Sequence, residues 1–422
     1  MKQLVIFLVL ASNLIFAQIG NTGRTKTGFI PGFYSEVVTS ASETQGKSKV
    51  DLYMQFPYSV LQFVKTNNQF EANYTVTIEI KNDDTDEVIT DVYDESITTL
   101  SYETSVSPQS RKISIRSFEL PAGEYEFEIL VTDNESSNEF EKTFEKEILV
   151  KENNTFLSDV ILIRNSVEIS GKKQLVPNIS RILLQSQRNL SFYLNVFSDT
   201  ERSINLTYKI LDAEDERVFE ISEPFALKKG SNTVVKTLTH LNINLGLYKL
   251  IVHETGKDDD EDLRTKSFRS IIKGFPPSIT DLNVAIKQLK YIARPFEYDA
   301  INSDSLTHSQ KMQQFIAFWK TKDPDPSTPR NEVLVEYYRR VDFANQRFKG
   351  YGEGWKTDMG FIYILFGNPD TVDRQPFNNN SKPYEIWFYN KINRRFIFVD
   401  RTGFGDYRLL NDDFRDLTDF RY

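Results

Sequence analysis

The sequence predicts a multidomain, mainly β protein: two tandem antiparallel β-sandwich (Ig-like) domains, then an α+β domain of three helices and a small antiparallel sheet. Three observations predict it. Short runs alternate apolar and polar residues from residue 49 to about 273. A stretch of the first block echoes a stretch of the second. At Gly274-Phe-Pro-Pro277 the apolar period changes from two to a helical one.

The first residues have a basic start at Lys2, an unbroken apolar run from Leu4 to Leu10, and a small residue at Ala17. This is the pattern of a signal peptide cleaved after Ala17. The run is short of the about 20 residues a spanning helix needs, and no later segment is apolar enough to cross. The mature chain is therefore expected to have no transmembrane segment. There is no cysteine in 422 residues, so neither a disulfide nor a thiol-linked lipid is available. Net charge is −9 and no basic stripe appears, which argues against nucleic acid as a partner. The 32 Phe and 20 Tyr suit half-buried pleated surfaces.

The expected boundaries are a signal peptide at 1–17, an N-terminal extension at 18–48, a first sandwich at 49–151, a second at 152–273, and the α+β domain at 274–422. The extension is read as either a tail or an edge strand that docks elsewhere. In the first sandwich, Tyr74, Val76, Ile78 and Ile80 share one face, as do Tyr125, Phe127 and Ile129. The second sandwich repeats this in Leu190–Val196, Asn205–Leu211 and Gly246–Val252. Leu120–Val131 lines up with Ile243–Val252, pairing Gly123 with Gly246 and Tyr125 with Tyr248; this favours a tandem pair. The acidic run Asp258–Asp262 lacks the glycine spacing of a calcium loop and reads as a solvated hairpin tip.

In the last domain one helix starts near Ser278 and carries Leu282, Ile286, Leu289 and Ile292. A second runs from about Thr307 with Met312, Phe315, Ile316 and Trp319 on one stripe. The third follows the proline run, with Thr328 as N-cap, Pro329 at the first helical position, and Leu334, Tyr338, Val341, Ala344 and Phe348 on one face. Thr357–Gly360 is read as a turn and Phe361–Phe366 as the first strand of a meander. Gly367–Asp370 then makes a turn, and Tyr384–Tyr389 and Phe396–Val399 two further strands. Trp355 is expected as the anchor where helices meet the sheet.

The chain offers little to a catalytic reading. Its three histidines, His240, His253 and His308, neighbour no nucleophile elbow, and no HExxH or cysteine set exists for zinc. Gly350, Gly352, Gly354 and Gly360 lack the GK[ST] end of a phosphate loop. Acids remain: Glu353, Asp358, Asp370 and Asp373, with Asp323 and Asp325 in the proline run. Two of them across a cleft could hydrolyse a glycoside. The plainer role for Asp358 and Asp370 is accepting backbone N–H bonds at turns. No catalytic residue, cofactor or metal is expected.

From Phe318 to Asp370 the sequence resembles the GWxTD-domain family of exported bacterial proteins. The residues that carry it are Phe318-Trp-Lys320, Asp323–Glu332, Glu336–Val341, Ala344-Asn345, Phe348, Gly354–Asp358, Gly360, Ile362–Ile364 and Gly367–Asp370. Met359 and Asn368 depart from it, standing where a basic residue and a proline are common. The signature residues carried over, as structural or interaction positions, are Asn331, Glu332, Tyr338, Arg339, Gly354, Trp355, Thr357, Asp358, Gly360, Tyr363, Gly367, Pro369 and Asp370. The family has no established reaction. The resemblance implies a Gram-negative, Bacteroidota-type envelope protein, in the periplasm or at the outer membrane, with envelope proteins as partners. The expectation is a non-catalytic interaction module. The rival expectation is a hydrolase or glycan-binding protein using the Trp355/Asp358 region, with Trp355, Tyr363 and Trp387 stacking on sugar rings.

Overall fold

Alternation along the strands sets the architecture: where every second side chain is apolar, one sheet face must find a partner. The computed structural model describes residues 32–107, 110–151, 155–169, 172–256, 263–276, 278–327, 331–348, 352–375, 382–403 and 405–410. The acidic run at 258–262 and the expected cap Thr328 with Pro329 lie outside them. By its internal contacts the chain divides into two units, 1–270 and 271–422.

The first unit holds two successive pairs of sheets. The first pair comprises β1 (Tyr34–Ala41), β2 (Lys47–Pro57), β3 (Val64–Thr66), β4 (Gln69–Asn82), β5 (Val88–Thr99), β6 (Arg111–Pro121), β7 (Gly123–Asp133) and β8 (Glu139–Ile148). Strands β1-β2-β6 form one sheet; β3-β4-β7-β8, with β5 beside β4, form the other. Val50, Leu52 and Met54 of the first sheet share one core with Tyr74, Val76, Ile78, Phe127 and Ile129 of the second. Each such fully buried side chain contributes about 1.5–3 kcal/mol. The extension read ahead of residue 49 supplies β1, which pairs with β2 from Tyr34↔Gln55 to Ala41↔Ser48.

The second pair comprises β9 (Thr155–Leu157), β10 (Ile161–Ile169), β11 (Lys172–Pro177), β12 (Ile182–Leu184), β13 (Leu190–Ser198), β14 (Arg202–Leu211), β15 (Arg217–Leu227), β16 (Gly230–Leu238), β17 (Gly246–Glu254) and β18 (Arg264–Ile271). The sheets run β11-β10-β13-β16, with β9 beside β13, and β12-β18-β17-β14-β15. Phe192, Leu194 and Val196 face Leu206, Tyr208, Leu250 and Val252 across the core. The echoed tyrosines do the same work in both pairs. Tyr125 donates its hydroxyl to the Pro121 carbonyl, four residues back, at 3.3 Å; Tyr248 donates to the Asn244 carbonyl at 3.2 Å.

The two pairs meet at Val38 and Tyr53 from one and Ile161 and Ile179 from the other. There the backbones of Thr39 and Asp159 also bond, Asp159 N–H to the Thr39 carbonyl at 2.8 Å.

The second unit has five α-helices among the described residues, not three: α1 (Leu282–Gln288), α2 (Pro295–Ile301), α3 (His308–Thr321), α4 (Glu332–Arg347) and α5 (Asp358–Phe366). Its sheet is β19 (Thr371–Gln375), β20 (Tyr384–Tyr389), β21 (Arg394–Asp400) and β22 (Tyr407–Leu409), in sequence order and antiparallel. α3 starts where the helical pattern placed it, and Thr307 caps it in a capping box with Gln310. α4 is capped by Asn331 and begins at Glu332, three residues beyond the expected start at Pro329.

The largest correction is α5. Phe361–Phe366 is helix, not strand, and Thr357–Gly360 is its entry rather than a free turn. Every position of Ile362–Leu365 is buried because the helix is covered on both sides. Met359, Ile362 and Tyr363 pack on Trp387, Tyr389, Phe396 and Phe398 of the sheet, while Phe361 meets Tyr291 at 4.9 Å. A short run apolar at every position fits either element, so periodicity could not separate them. Among the described residues no helix is long and apolar enough to cross a membrane.

Candidate functional site

The signature residues gather where α4, the loop after it, α5 and the sheet meet. Asn331 begins the arrangement. Its Oδ1 accepts the Leu334 N–H at 2.9 Å, and its Nδ2 donates to the Trp319 carbonyl at 2.6 Å, so one side chain closes the start of α4 and the end of α3. Glu332 is exposed in the first turn, where an acid suits the helix dipole. Tyr338 is buried and donates to the Ala285 carbonyl at 3.1 Å, while Tyr337 donates to that of Gln288, tying α4 to α1. Burial pushes both phenols well above their ordinary range.

Arg339 forks onto Glu336, with Nε and Nη2 at 2.6 and 2.7 Å from its carboxylate oxygens. Arg340 shares the same carboxylate at 2.7 Å and donates to the carbonyls of Ile364 and Leu365 at 3.1 and 2.9 Å. Those carbonyls end α5 and have no partner within it, so Arg340 closes the helix and opposes its negative pole. The hydrogen bonds from Arg339, followed by those from Arg340, hold Glu336 down at about 2 despite its partial burial.

Between α4 and α5 the described residues include a 3-10 turn, Gly354–Lys356. Gly354 sits flat on α4: a Cβ there would stand 1.9 Å from the Ala344 carbonyl oxygen. Trp355 N–H donates to Asn345 Oδ1 at 3.0 Å, and its carbonyl accepts the Tyr291 hydroxyl at 3.0 Å. The indole is 2% exposed, edge-on to Tyr291, with Lys290 and Lys356 at 5.1 and 5.3 Å from its ring centre. Its expected place was the meeting of helices and sheet; its ring and backbone partners all come from the helical side.

Thr357 caps α5 and locks it to the preceding turn. Its hydroxyl accepts the Gly360 N–H at 3.0 Å and donates to the Gly354 carbonyl at 2.7 Å. Gly360 is the counterpart of Gly354, since a Cβ there would stand 2.0 Å from the Gly354 oxygen. Asp358, half-buried, accepts the Leu409 N–H at 2.8 Å and so pins the start of α5 to β22. Tyr363 stacks on Phe343 at 4.3 Å and donates to Asn368 at 3.0 Å. Gly367 ends α5 at φ 75°, a left-handed conformation glycine takes without strain, and its carbonyl accepts the Tyr389 hydroxyl. Pro369 follows as a stop, and Asp370 accepts the Asn390 N–H at 2.6 Å.

Asp358 and Asp370 thus accept backbone N–H groups, as their plainer reading expected; the donors are remote strand and turn residues rather than their own turns. Glu353 pairs with Lys356, and its carboxyl is lowered by that contact. Three residues outside the candidate set complete the arrangement: Glu336, Arg340 and Asn345. The first two were detectable, because an acid three and four residues before arginines on a helix forms such pairs. Asn345 was among the residues that carry the resemblance, but its role had no local signal, since its partner lies ten residues on, across a loop.

Comparison with curated proteins finds no match. Three solved structures are similar over part of their length. Latent dimeric PorU from Porphyromonas gingivalis matches at 11% identity over 57% of this chain and 20% of that one, with a TM-score of 0.24. A glycosyl hydrolase family 2 member from Bacteroides cellulosilyticus matches at 11% over 52% and 26%, with 0.21. Red sea bream transglutaminase matches at 9% over 57% and 32%, with 0.17. This chain spans less than a third of each, and at these TM-scores the likenesses carry no argument. The finding that bears on the site is the family comparison: residues 253–409, which include every signature residue described above, match the family model of the GWxTD domain.

Proposed function

We propose that this chain is a non-catalytic, exported envelope protein that works as a structural and interaction module of an outer-membrane-associated assembly. In this reading residues 1–17 are removed on export. Two Ig-like sandwiches, 49–151 with the preceding edge strand and 152–273, serve as spacers or docking modules. The GWxTD domain, 274–422, is the interaction head. The observation that carries it is the use made of the signature side chains: they cap helices, fill the core and allow close helix contact. A motif spent this way specifies a scaffold. The Ig-like assignment draws on Tyr125 and Tyr248, whose hydroxyls reach back four residues as in the tyrosine corner of Ig domains.

The rival reading needs rings open to sugar. Trp355, Tyr363 and Trp387 are 2%, 2% and 4% exposed, so none offers a stacking face. The test is crosslinking in intact cells followed by fractionation and affinity recovery of the full chain. A stable envelope partner recovered from the outer-membrane fraction is the expected result. Recovery of the monomer alone, or from the cytoplasm, overturns the proposal.

A further inference from the structure

Where β1 and β8 meet the Asp159 loop, Arg181 and β18, they surround a cavity of about 80 Å³. A water needs about 10–15 Å³ of such space, so the cavity has room for several waters or one tetrahedral oxyanion. Its wall carries four cations, Lys142, Lys146, Arg181 and Lys266, and two carboxylates, Glu36 and Asp159. Each carboxylate has a cationic partner, although Glu36 Oε2 itself has no hydrogen-bond partner. Glu36 pairs with Lys266, and Asp159 pairs with Lys146 at 3.2 Å and accepts the Thr39 N–H at 2.8 Å. Lys142 and Arg181 have no carboxylate within ion-pair distance among the described residues. Ser35 and Ser267, 4% and 5% exposed, line the same wall with hydroxyls that have no hydrogen-bond partner. A buried donor left unpaired is costly, and so is a buried charge. Arg181 is also held at φ 54°, a left-handed conformation that a non-glycine residue rarely adopts.

We propose that this junction cavity binds a small oxyanion, a phosphate-, sulfate- or carboxylate-type group, held by Lys142 and Arg181 and by the hydroxyls of Ser35 and Ser267. Guanidinium and hydroxyl donors around a positive pocket are what such a group requires. The charge balance agrees. Burial, reinforced by Arg181 and opposed by Glu36, pushes Lys142 down to about 7. Burial would raise Asp159, but Lys146, Lys266 and the Thr39 N–H outweigh it and keep the group ionised. An anion beside Lys142 favours its protonated form, so binding weakens as the pH rises through 7. Because the donors come from both sheet pairs, a bound anion also clamps the junction.

Calorimetric titration of the full chain with sulfate tests this, since sulfate keeps its charge on either side of pH 7. Phosphate and acetate at matched ionic strength form parallel arms. The expected result is saturable binding, stronger below pH 7 than above it. It should weaken about tenfold or more in Lys142→Gln and in Arg181→Asn, whose asparagine suits the left-handed backbone. Without anion, Lys142→Gln should melt at or above the wild-type temperature, because it removes an uncompensated charge, so lost binding cannot be assigned to lost folding. Tighter phosphate than acetate identifies a phosphate-type group, and the reverse a carboxylate; either supports the site. No saturable binding by wild type, or equal binding by wild type and both variants, overturns the proposal.

Discussion

Tyr291 holds Trp355 twice: its ring meets the indole edge-on at 5.9 Å, and its hydroxyl donates to the Trp355 carbonyl at 3.0 Å. The tryptophan is thus a core residue of the helical layer with its backbone fixed as well. Trp355→Ala should destabilise the C-terminal unit by about 3–5 kcal/mol. Tyr291→Phe keeps the ring and loses only the donor, at a cost of about 1 kcal/mol. Differential scanning calorimetry of the full chain checks both. An unchanged melting profile in Trp355→Ala would contradict the core assignment.

The glycines of the signature differ from one another in a way that substitution can read. Gly354 and Gly360 face backbone carbonyls that a Cβ would meet at 1.9 and 2.0 Å, contacts no side-chain rotation relieves. Gly352, two residues earlier, has nothing within 4 Å. Gly354→Ala and Gly360→Ala should each cost at least about 1–3 kcal/mol, because the turn must move off α4 in the first and α5 off the turn in the second. Gly352→Ala should fall within about 0.5 kcal/mol of wild type. Urea midpoints at constant slope make the comparison.

Glu336 gives the C-terminal unit an acid-sensitive joint. Its carboxyl falls from 4.5 to about 2, chiefly through the hydrogen bonds of Arg339 and then Arg340. A depressed carboxyl stabilises the fold above its unfolded value and loses that contribution as the pH falls through the folded one. The loss therefore belongs between about pH 4.5 and about pH 2. Glu336→Gln should melt below wild type at neutral pH, and the two should converge across this window. The group is partly exposed, so the gap should shrink with added salt. Parallel melting curves of the two proteins down to pH 2 would exclude the joint.

Much of this fold was legible because its signals are local. Tyr74 to Ile80 announce a half-buried strand by period alone, and Met312, Phe315, Ile316 and Trp319 announce a helix by their spacing. α5 was not legible. Its last six residues, Phe361–Phe366, are apolar throughout because sheet and helices cover both sides, and that covering is tertiary. Thr357 was the available clue, a capping residue just ahead of the run. The C-terminal signature was readable as a motif, yet its purpose was not. Gly354 is explained by Ala344, Trp355 by Tyr291 and Asn345, and Asp358 by Leu409, all partners supplied by other elements. The junction cavity was invisible for the same reason, since Lys142 and Arg181 lie 39 residues apart with no shared pattern.

The paired tyrosines of the two sheet modules give the sharpest check on their equivalence. Tyr125 and Tyr248 are 3% and 6% exposed, and each donates to a carbonyl four residues back. Tyr248 also accepts the Asn244 N–H at 3.0 Å, a second bond that Tyr125 is not seen to make. Replacing either by phenylalanine keeps the ring and deletes the hydroxyl. Tyr125→Phe should cost about 0.5–1.5 kcal/mol, the net worth of one such bond. Tyr248→Phe strands a donor as well as an acceptor and should cost more, about 1–3 kcal/mol. The sites sit in different cores, so the double variant should lose the sum of the two. Equal losses would mean that the Asn244 bond adds nothing; a negligible loss at both would mean the shared device is sequence grammar without energetic weight.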